Sequence, residues 1–171
     1  MSEFEREFPG GSESANATAF ALVRTAEAFL AAFDKALRHH HLSRAGREAL
    51  AILEGAGQPL SPTVIAERLI VTTASVTSVL DTLERRGLIE RRPHASDRRR
   101  VLVVITDDGI ALVNRFLPEM IAAQTAALSG FSQPQRRQLI GLLARAAAGL
   151  ANTDIDEAVR TAAPRVVPRR H

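Results

Sequence analysis

The chain has no cysteine, no tryptophan and no tyrosine, and seven phenylalanines supply its whole 4% of aromatic residues. Without thiols, disulfides, thiolate metal centres and thiol-based redox sensing are excluded. With so few rings, a core must be built from Ala, Leu, Val, Ile and Phe, a set that suits packed helices. No apolar run approaches the roughly 20 residues that span a bilayer as a helix. The opening stretch MSEFEREFPGGSES is charged and lacks the apolar segment of a secretory signal. A soluble, cytoplasmic protein without a membrane partner is therefore expected. A strong charge of either sign is also missing, since the formal net charge is +3. There is no internal repeat, and no low-complexity tract beyond an enrichment in alanine.

What is present is a globular balance: 46% hydrophobic and 24% charged over 171 residues, enough for one domain or two small subdomains. The charge is unevenly spread. Over residues 1–34, six acids face two arginines, a net −4. Over residues 83–100, seven arginines face Glu84, Glu90 and Asp97, a net +4. A basic patch confined to a short structured stretch is the electrostatic footprint of a polyanion partner, although a solvated charged loop would look the same on composition alone.

Residues 1–13, with their Pro-Gly-Gly, read as a mobile arm. From Ser14 to His40 an apolar stripe at Leu22, Ala26, Phe29, Phe33 and Leu37 predicts a long helix that needs a partner surface. Ser43 is placed to N-cap a second helix carrying Ala49, Leu50 and Leu53, which ends in GAGQP. Ser61-Pro62 starts a short third helix with Ile65 and Leu69 on its buried face. Thr73 opens a fourth helix that stops at Gly87, with Leu88 packing back. Two strand-like runs, 88–92 and 101–106, flank the turn PHASDRRR. Asp107 begins a long fifth helix, apolar at Ile110, Val113, Leu117, Ile121 and Leu128, with a kink expected at Pro118. A sixth helix follows, with Leu139, Leu142, Leu143, Ala146 and Leu150, and the proline-punctuated end AAPRVVPRRH reads as frayed.

Short helix, turn, second helix, glycine stop and two-stranded hairpin is the order of a winged helix-turn-helix. In the second of these helices Val76, Val79, Leu80 and Leu83 share a buried sector. The opposite sector holds Ala74, Ser78, Asp81 and Arg85, flanked by Ser75, Thr77 and Thr82. Short hydrogen-bonding side chains permit close approach to base edges in a major groove, while an ordinary solvent-facing surface would carry the same residue types.

The segment TTASVTSVLDTLERRGLIERRPHASDRRRVLVVITDDG resembles the winged-helix core of the MarR (multiple-antibiotic-resistance regulator) family of transcription factors. LERRGLI, ERRP, the Asp-x-Arg at Asp97 and Arg99, and VVIT leading into DDG carry the likeness. The core match covers about a quarter of the chain, and the flanking order of long helices extends it to nearly the whole. The resemblance implies a mainly α fold with a small β-hairpin wing. Its expected parts are a flexible arm (1–13), a dimerisation helix (14–42), a winged helix-turn-helix domain (43–106), further dimerisation helices (107–152) and a C-terminal tail (153–171). It implies a homodimer on double-stranded DNA, with Leu22, Phe29, Phe116, Leu117, Leu139, Leu142 and Leu143 at the interface. Thr73, Ala74, Ser75, Thr77, Ser78, Asp81 and Arg85 would belong to the recognition helix. On the wing, Arg99 would enter the minor groove, oriented by Asp97, with Arg98 and Arg100 beside it. Ser61, Arg86, Arg91 and Arg92 would contact phosphate or brace the wing. A small-molecule effector, aromatic or phenolic, would sit near Phe33, Leu37, Arg38 and His41. The chain departs from the family where many members carry arginines and it has Ser78 and Thr82, which implies fewer direct base contacts and more weight on wing and DNA shape.

Other features carry less. His39, His40 and His41 follow one another, and consecutive helical residues point about 100° apart, so all three cannot meet one metal without unwinding; no metal site is expected. Asp107 and Asp108 suit a helix cap and dipole better than acid–base chemistry. No catalytic triad order, phosphate loop or cofactor motif occurs, so no catalytic residue, cofactor or enzyme is expected. The reading is a homodimeric repressor of a pseudo-palindromic operator, released by a small ligand. A winged helix that holds protein and a nonspecific DNA-coating protein are the alternatives; the basic wing argues against the first and the near-neutral total charge against the second.

Overall fold

The computed structural model describes residues 2–69, 73–93, 101–162 and 164, with side chains from 76 onward in the helix that begins at 73. In chain order the elements are α1 (Glu3–Glu7), α2 (Glu13–Leu37), a 3-10 turn (Arg38–His40), α3 (Arg44–Ala56), α4 (Pro62–Arg68), α5 (Thr73–Arg85), β1 (Ile89–Pro93), β2 (Val101–Ile105), α6 (Asp107–Ala127), α7 (Gln133–Asn152) and α8 (Ile155–Arg160). They divide into two units. One comprises residues 31–127 and the other residues 1–30 with 128–171. The winged unit thus takes in the end of α2 and all of α6, beyond the 43–106 expected.

Its helix ends follow local chemistry. Ser43 accepts a hydrogen bond from the Gly46 N–H at the start of α3. Ser61 does the same for Val64 at the start of α4, with Pro62 in the first turn. Gly87 takes φ 69°, and its N–H and that of Leu88 bond back to the Glu84 and Leu83 carbonyls at 2.8 and 3.0 Å. That pair of bonds closes α5 and turns the chain into the hairpin. β1 and β2 pair antiparallel from Ile89↔Ile105 to Pro93↔Val101. Leu60, in the extended connector before α4, pairs with Val103 through two backbone hydrogen bonds of 3.1 and 2.7 Å, tying the connector to the hairpin.

Leu50 and Leu53 of α3, Ile65 of α4, Val76, Leu80 and Leu83 of α5, Ile89 and Val103 of the hairpin, and Val113 and Phe116 of α6 form one buried cluster. Phe116 is completely buried there. Its expected place at a dimer interface is therefore wrong: a side chain filling its own protomer's core has no surface to offer a partner. The face of α6 turned to the core is Gly109, Leu112, Val113 and Phe116, whereas Ile110 and Ile121 of the expected apolar stripe are exposed. Arg47 is the one buried charge among the described residues. It donates to the Leu42 carbonyl at 2.9 Å and pairs with Asp34, fastening the end of α2 to α3.

The corner between wing and α6 is built around a glycine. Thr106, rather than Asp107, caps α6, its hydroxyl accepting from the Gly109 N–H at 3.1 Å and donating to the Gly87 carbonyl at 2.7 Å. The Thr106 N–H bonds the Leu88 carbonyl at 3.1 Å. A Cβ on Gly109 would lie 2.2 Å from that same oxygen and 2.7 Å from Ile105 Cγ1. The glycine of the DDG motif is there because helix and strand end approach too closely for any side chain.

In the second unit, the segment read as a mobile arm carries α1, closed by a reciprocal cap between Ser2 and Glu5. α7 opens on a second such cap, Ser132 with Gln135. It buries none of its residues, and Ile140, Leu142, Leu143 and Leu150 stay exposed. Residues Ser14, Thr18 and Leu22 of α2 line a shallow groove with Ala146, Gly149 and Leu150 of α7 and Ile155 of α8.

Candidate nucleic-acid interface

α5 is amphipathic as its sequence predicts. Val76, Leu80 and Leu83 are buried and Val79 packs against them, which turns Thr77, Ser78, Asp81 and Arg85 outward along one shallow depression. Arg85 and the neighbouring exposed Thr82 are occupied within the helix. Thr82 donates its hydroxyl to the Ser78 carbonyl at 2.9 Å. Arg85 folds back, its Nε on the Asp81 carbonyl at 3.3 Å and a terminal nitrogen on the Thr82 hydroxyl at 3.1 Å. Thr73, Ala74 and Ser75 form the first turn of α5, and their side chains lie outside the described residues.

Arg91 joins α5 to the wing. From β1 its guanidinium reaches Asp81 at 2.7 Å and Glu84 at 2.5 Å, one helical turn apart. Its own backbone N–H adds a second bond to Glu84 at 3.1 Å. Partial burial works against the charge, but the hydrogen bonds and charges of Asp81 and Glu84 outweigh it and hold the guanidinium above its ordinary pKa. A planar fork bridging two carboxylates fixes orientation as well as distance, so the hairpin's base is locked to the solvent-facing helix. Arg91 accordingly braces. Arg86 also braces, donating to the His41 carbonyl at 2.5 Å. Arg92 is exposed and forks onto Glu90 at 2.8 and 3.1 Å. Ser61 spends its hydroxyl as the α4 cap. Sequence reasoning singled out the arginines but not Glu84, since a partner seven residues away on another element carries no periodic signal. Asp97, Arg98, Arg99 and Arg100 lie outside the described residues.

The other expected residues scatter. Leu22, Leu142 and Leu143 are exposed, Phe29 and Leu139 half-buried, and Leu117 packs against the winged core. Of the expected effector residues, Leu37 is fully buried, Phe33 half-buried and Arg38 exposed. His41 adopts a left-handed conformation, φ 55°, that ends the 3-10 turn. No described helix is long and apolar enough to cross a membrane.

A family model describing the MarR family matches residues 42–101, the stretch from just after the 3-10 turn to the first residue of β2. The HTH-type transcriptional regulator PecS of Dickeya dadantii is 37% identical over 123 residues, covering 71% of this chain and 74% of PecS. The HTH-type transcriptional repressor YetL of Bacillus subtilis is 30% identical over 128 residues, covering 68% and 77%. Among solved structures, that of Bordetella bronchiseptica BpsR, described for regulation of its DNA binding by 6-hydroxynicotinic acid, superposes with TM-score 0.73 at 24% identity over 85% of this chain and all of that one.

Proposed function

This chain belongs to the MarR family of winged helix-turn-helix transcriptional regulators, and on that premise we propose that it is a homodimeric repressor that reads a pseudo-palindromic operator and is released by a small aromatic or phenolic effector. The observation that carries the DNA reading is the locked pair of α5 and hairpin. The outward face of α5 holds only short groups at Thr77 and Ser78, and Arg91 fixes the wing's direction relative to it. A helix so faced fits a major groove, and by the family pattern the wing beside it would reach the adjacent groove.

By the family pattern, Arg99 enters the minor groove, Asp97 orients it, and Arg98 and Arg100 meet phosphate or groove wall. The homodimer is supported by the exposed apolar side chains of α7 and by Leu22 and Val23 on the N-terminal part of α2. A run of such residues on a soluble regulator marks an interface. The effector class rests on family membership alone.

The test is footprinting on DNA upstream of the protein's own gene. The expected footprint is a pseudo-palindrome of roughly 16–20 bp, with half-sites about one helical turn apart, and binding should weaken steeply with salt as counterions are released. An asymmetric footprint, or affinity indifferent to salt, would favour a winged helix that holds protein instead.

A further inference from the structure

The winged unit holds a cluster of metal-ligating groups separate from the hairpin's ion pairs. The first link is local. The 3-10 turn at Arg38–His40 and the left-handed His41 unwind the end of α2, so the angular argument against converging histidines fails for two of the three. His39 and His40 bring their Nε2 atoms to the same oxygen of Glu119 on α6, each at 2.9 Å. The three ligating atoms lie within 4.8 Å of one another. Their rings sit 4.1 Å apart, and the His40 ring stands edge-on to Phe116 at 6.0 Å.

We propose that His39, His40 and Glu119 form a binding site for a divalent transition-metal ion such as zinc. Two imidazoles and one carboxylate are the donor set that borderline ions prefer, and hard ions such as calcium and magnesium take oxygen cages instead. Bonds of about 2.0–2.1 Å to a tetrahedral ion put neighbouring donors roughly 3.3 Å apart. The two 2.9 Å separations must therefore open by about 0.4 Å, and the widest must close by about 1.5 Å. The side chains that must move are the free ones. Those of His39 and Glu119 are about half exposed, while that of His40 is 7% exposed and held against Phe116. Three protein donors leave a fourth position for water.

The site has a structural consequence. It would staple the end of α2 to α6, and the next residue, His41, supplies the carbonyl that holds Arg86 at the end of α5. An ion there sits two bonded contacts from the helix that faces DNA. The inference stands on these residues whether or not the chain represses transcription.

The experiment is calorimetric titration of the chelator-treated, full-length protein with zinc chloride, with cobalt(II) as a spectroscopic substitute. One ion per chain should bind, with Kd about 10 µM or tighter, and cobalt should show visible bands of a four-coordinate N/O site. Glu119→Gln, a surface change that leaves the core untouched, should weaken zinc at least tenfold, and His39→Gln and His40→Gln should do likewise. His94→Gln and His171→Gln should bind as wild type. Absence of binding, or zinc binding kept in Glu119→Gln and lost in His94→Gln or His171→Gln, would overturn the assignment. DNA affinity measured beside it keeps the two readings apart, because the operator should still be bound by Glu119→Gln.

Discussion

Substituting Gly109 by alanine should destabilise the winged unit, although alanine is the better helix former. The helix-propensity gain is about 1 kcal/mol. Against it stands a methyl 2.2 Å from the Leu88 carbonyl oxygen and 2.7 Å from Ile105 Cγ1. To restore ordinary contact the oxygen must retreat by roughly an ångström, and it is the acceptor for the Thr106 N–H at 3.1 Å. Losing that bond in a tight corner costs about 1–3 kcal/mol, and overpacking the strand end adds about 1–3 kcal/mol. The balance is a loss of about 3 kcal/mol, hence a fall in Tm on the order of 10 °C for a chain of this size. Gly55, near the end of α3, is the control. Its Cβ would meet nothing within 4 Å, so Gly55→Ala should gain about 0.5–1 kcal/mol. Thermal and urea melts at one protein concentration compare the two variants with wild type. Gly109→Ala as stable as wild type would refute the claim that this corner admits no side chain.

Further outcomes follow from the interface. Arg99→Ala should lose at least tenfold in operator affinity, about 1.4 kcal/mol, while keeping base preferences in the major groove; Arg100→Ala should lose less, because the family pattern gives the groove-entering role to Arg99. Thr77→Ala, compared on operator and scrambled duplexes, should relax the choice at particular base pairs with little change in nonspecific binding. A double-mutant cycle between Arg91→Ala and Asp81→Ala should return a coupling of about 0.5–1 kcal/mol in urea melts, since the pair is partly exposed; zero coupling would mean that the guanidinium does not lock the hairpin. Sedimentation at micromolar concentration should show a dimer, and a well-folded monomer would remove the two-helix geometry on DNA.

The parts of the fold legible in the sequence are those that neighbouring residues determine. Ser43, Ser61-Pro62 and Gly87 mark helix ends through bonds to residues a turn away, and each marks the end that the structure shows. Period alone served α5 well, because its polar and apolar sectors are sharply divided. It served α6 poorly. With Ile110, Leu112, Val113, Phe116 and Leu117 in little more than two turns, the first half of that helix is apolar on more than one side. Only packing decides that Phe116 goes inward and Ile110 outward. Groups that meet across long stretches of chain were beyond reach: Glu119 joins His40, 79 residues earlier, and Leu60 finds Val103. The angular argument about the histidines assumed a regular helix, and the chain unwinds where they stand.

The ties on α5 also bear on how such a regulator can change over evolutionary time. Thr77 and Ser78 look outward with side chains that the core does not need, so under the proposed DNA reading their replacement would alter which bases are met and leave the fold intact. Asp81 is bound to Arg91 across the element boundary, and a change there disturbs the hairpin unless position 91 changes with it. Duplicated copies acquiring new operators should therefore diverge first at 77 and 78, singly and at little cost, whereas 81 and 91 should move as a pair.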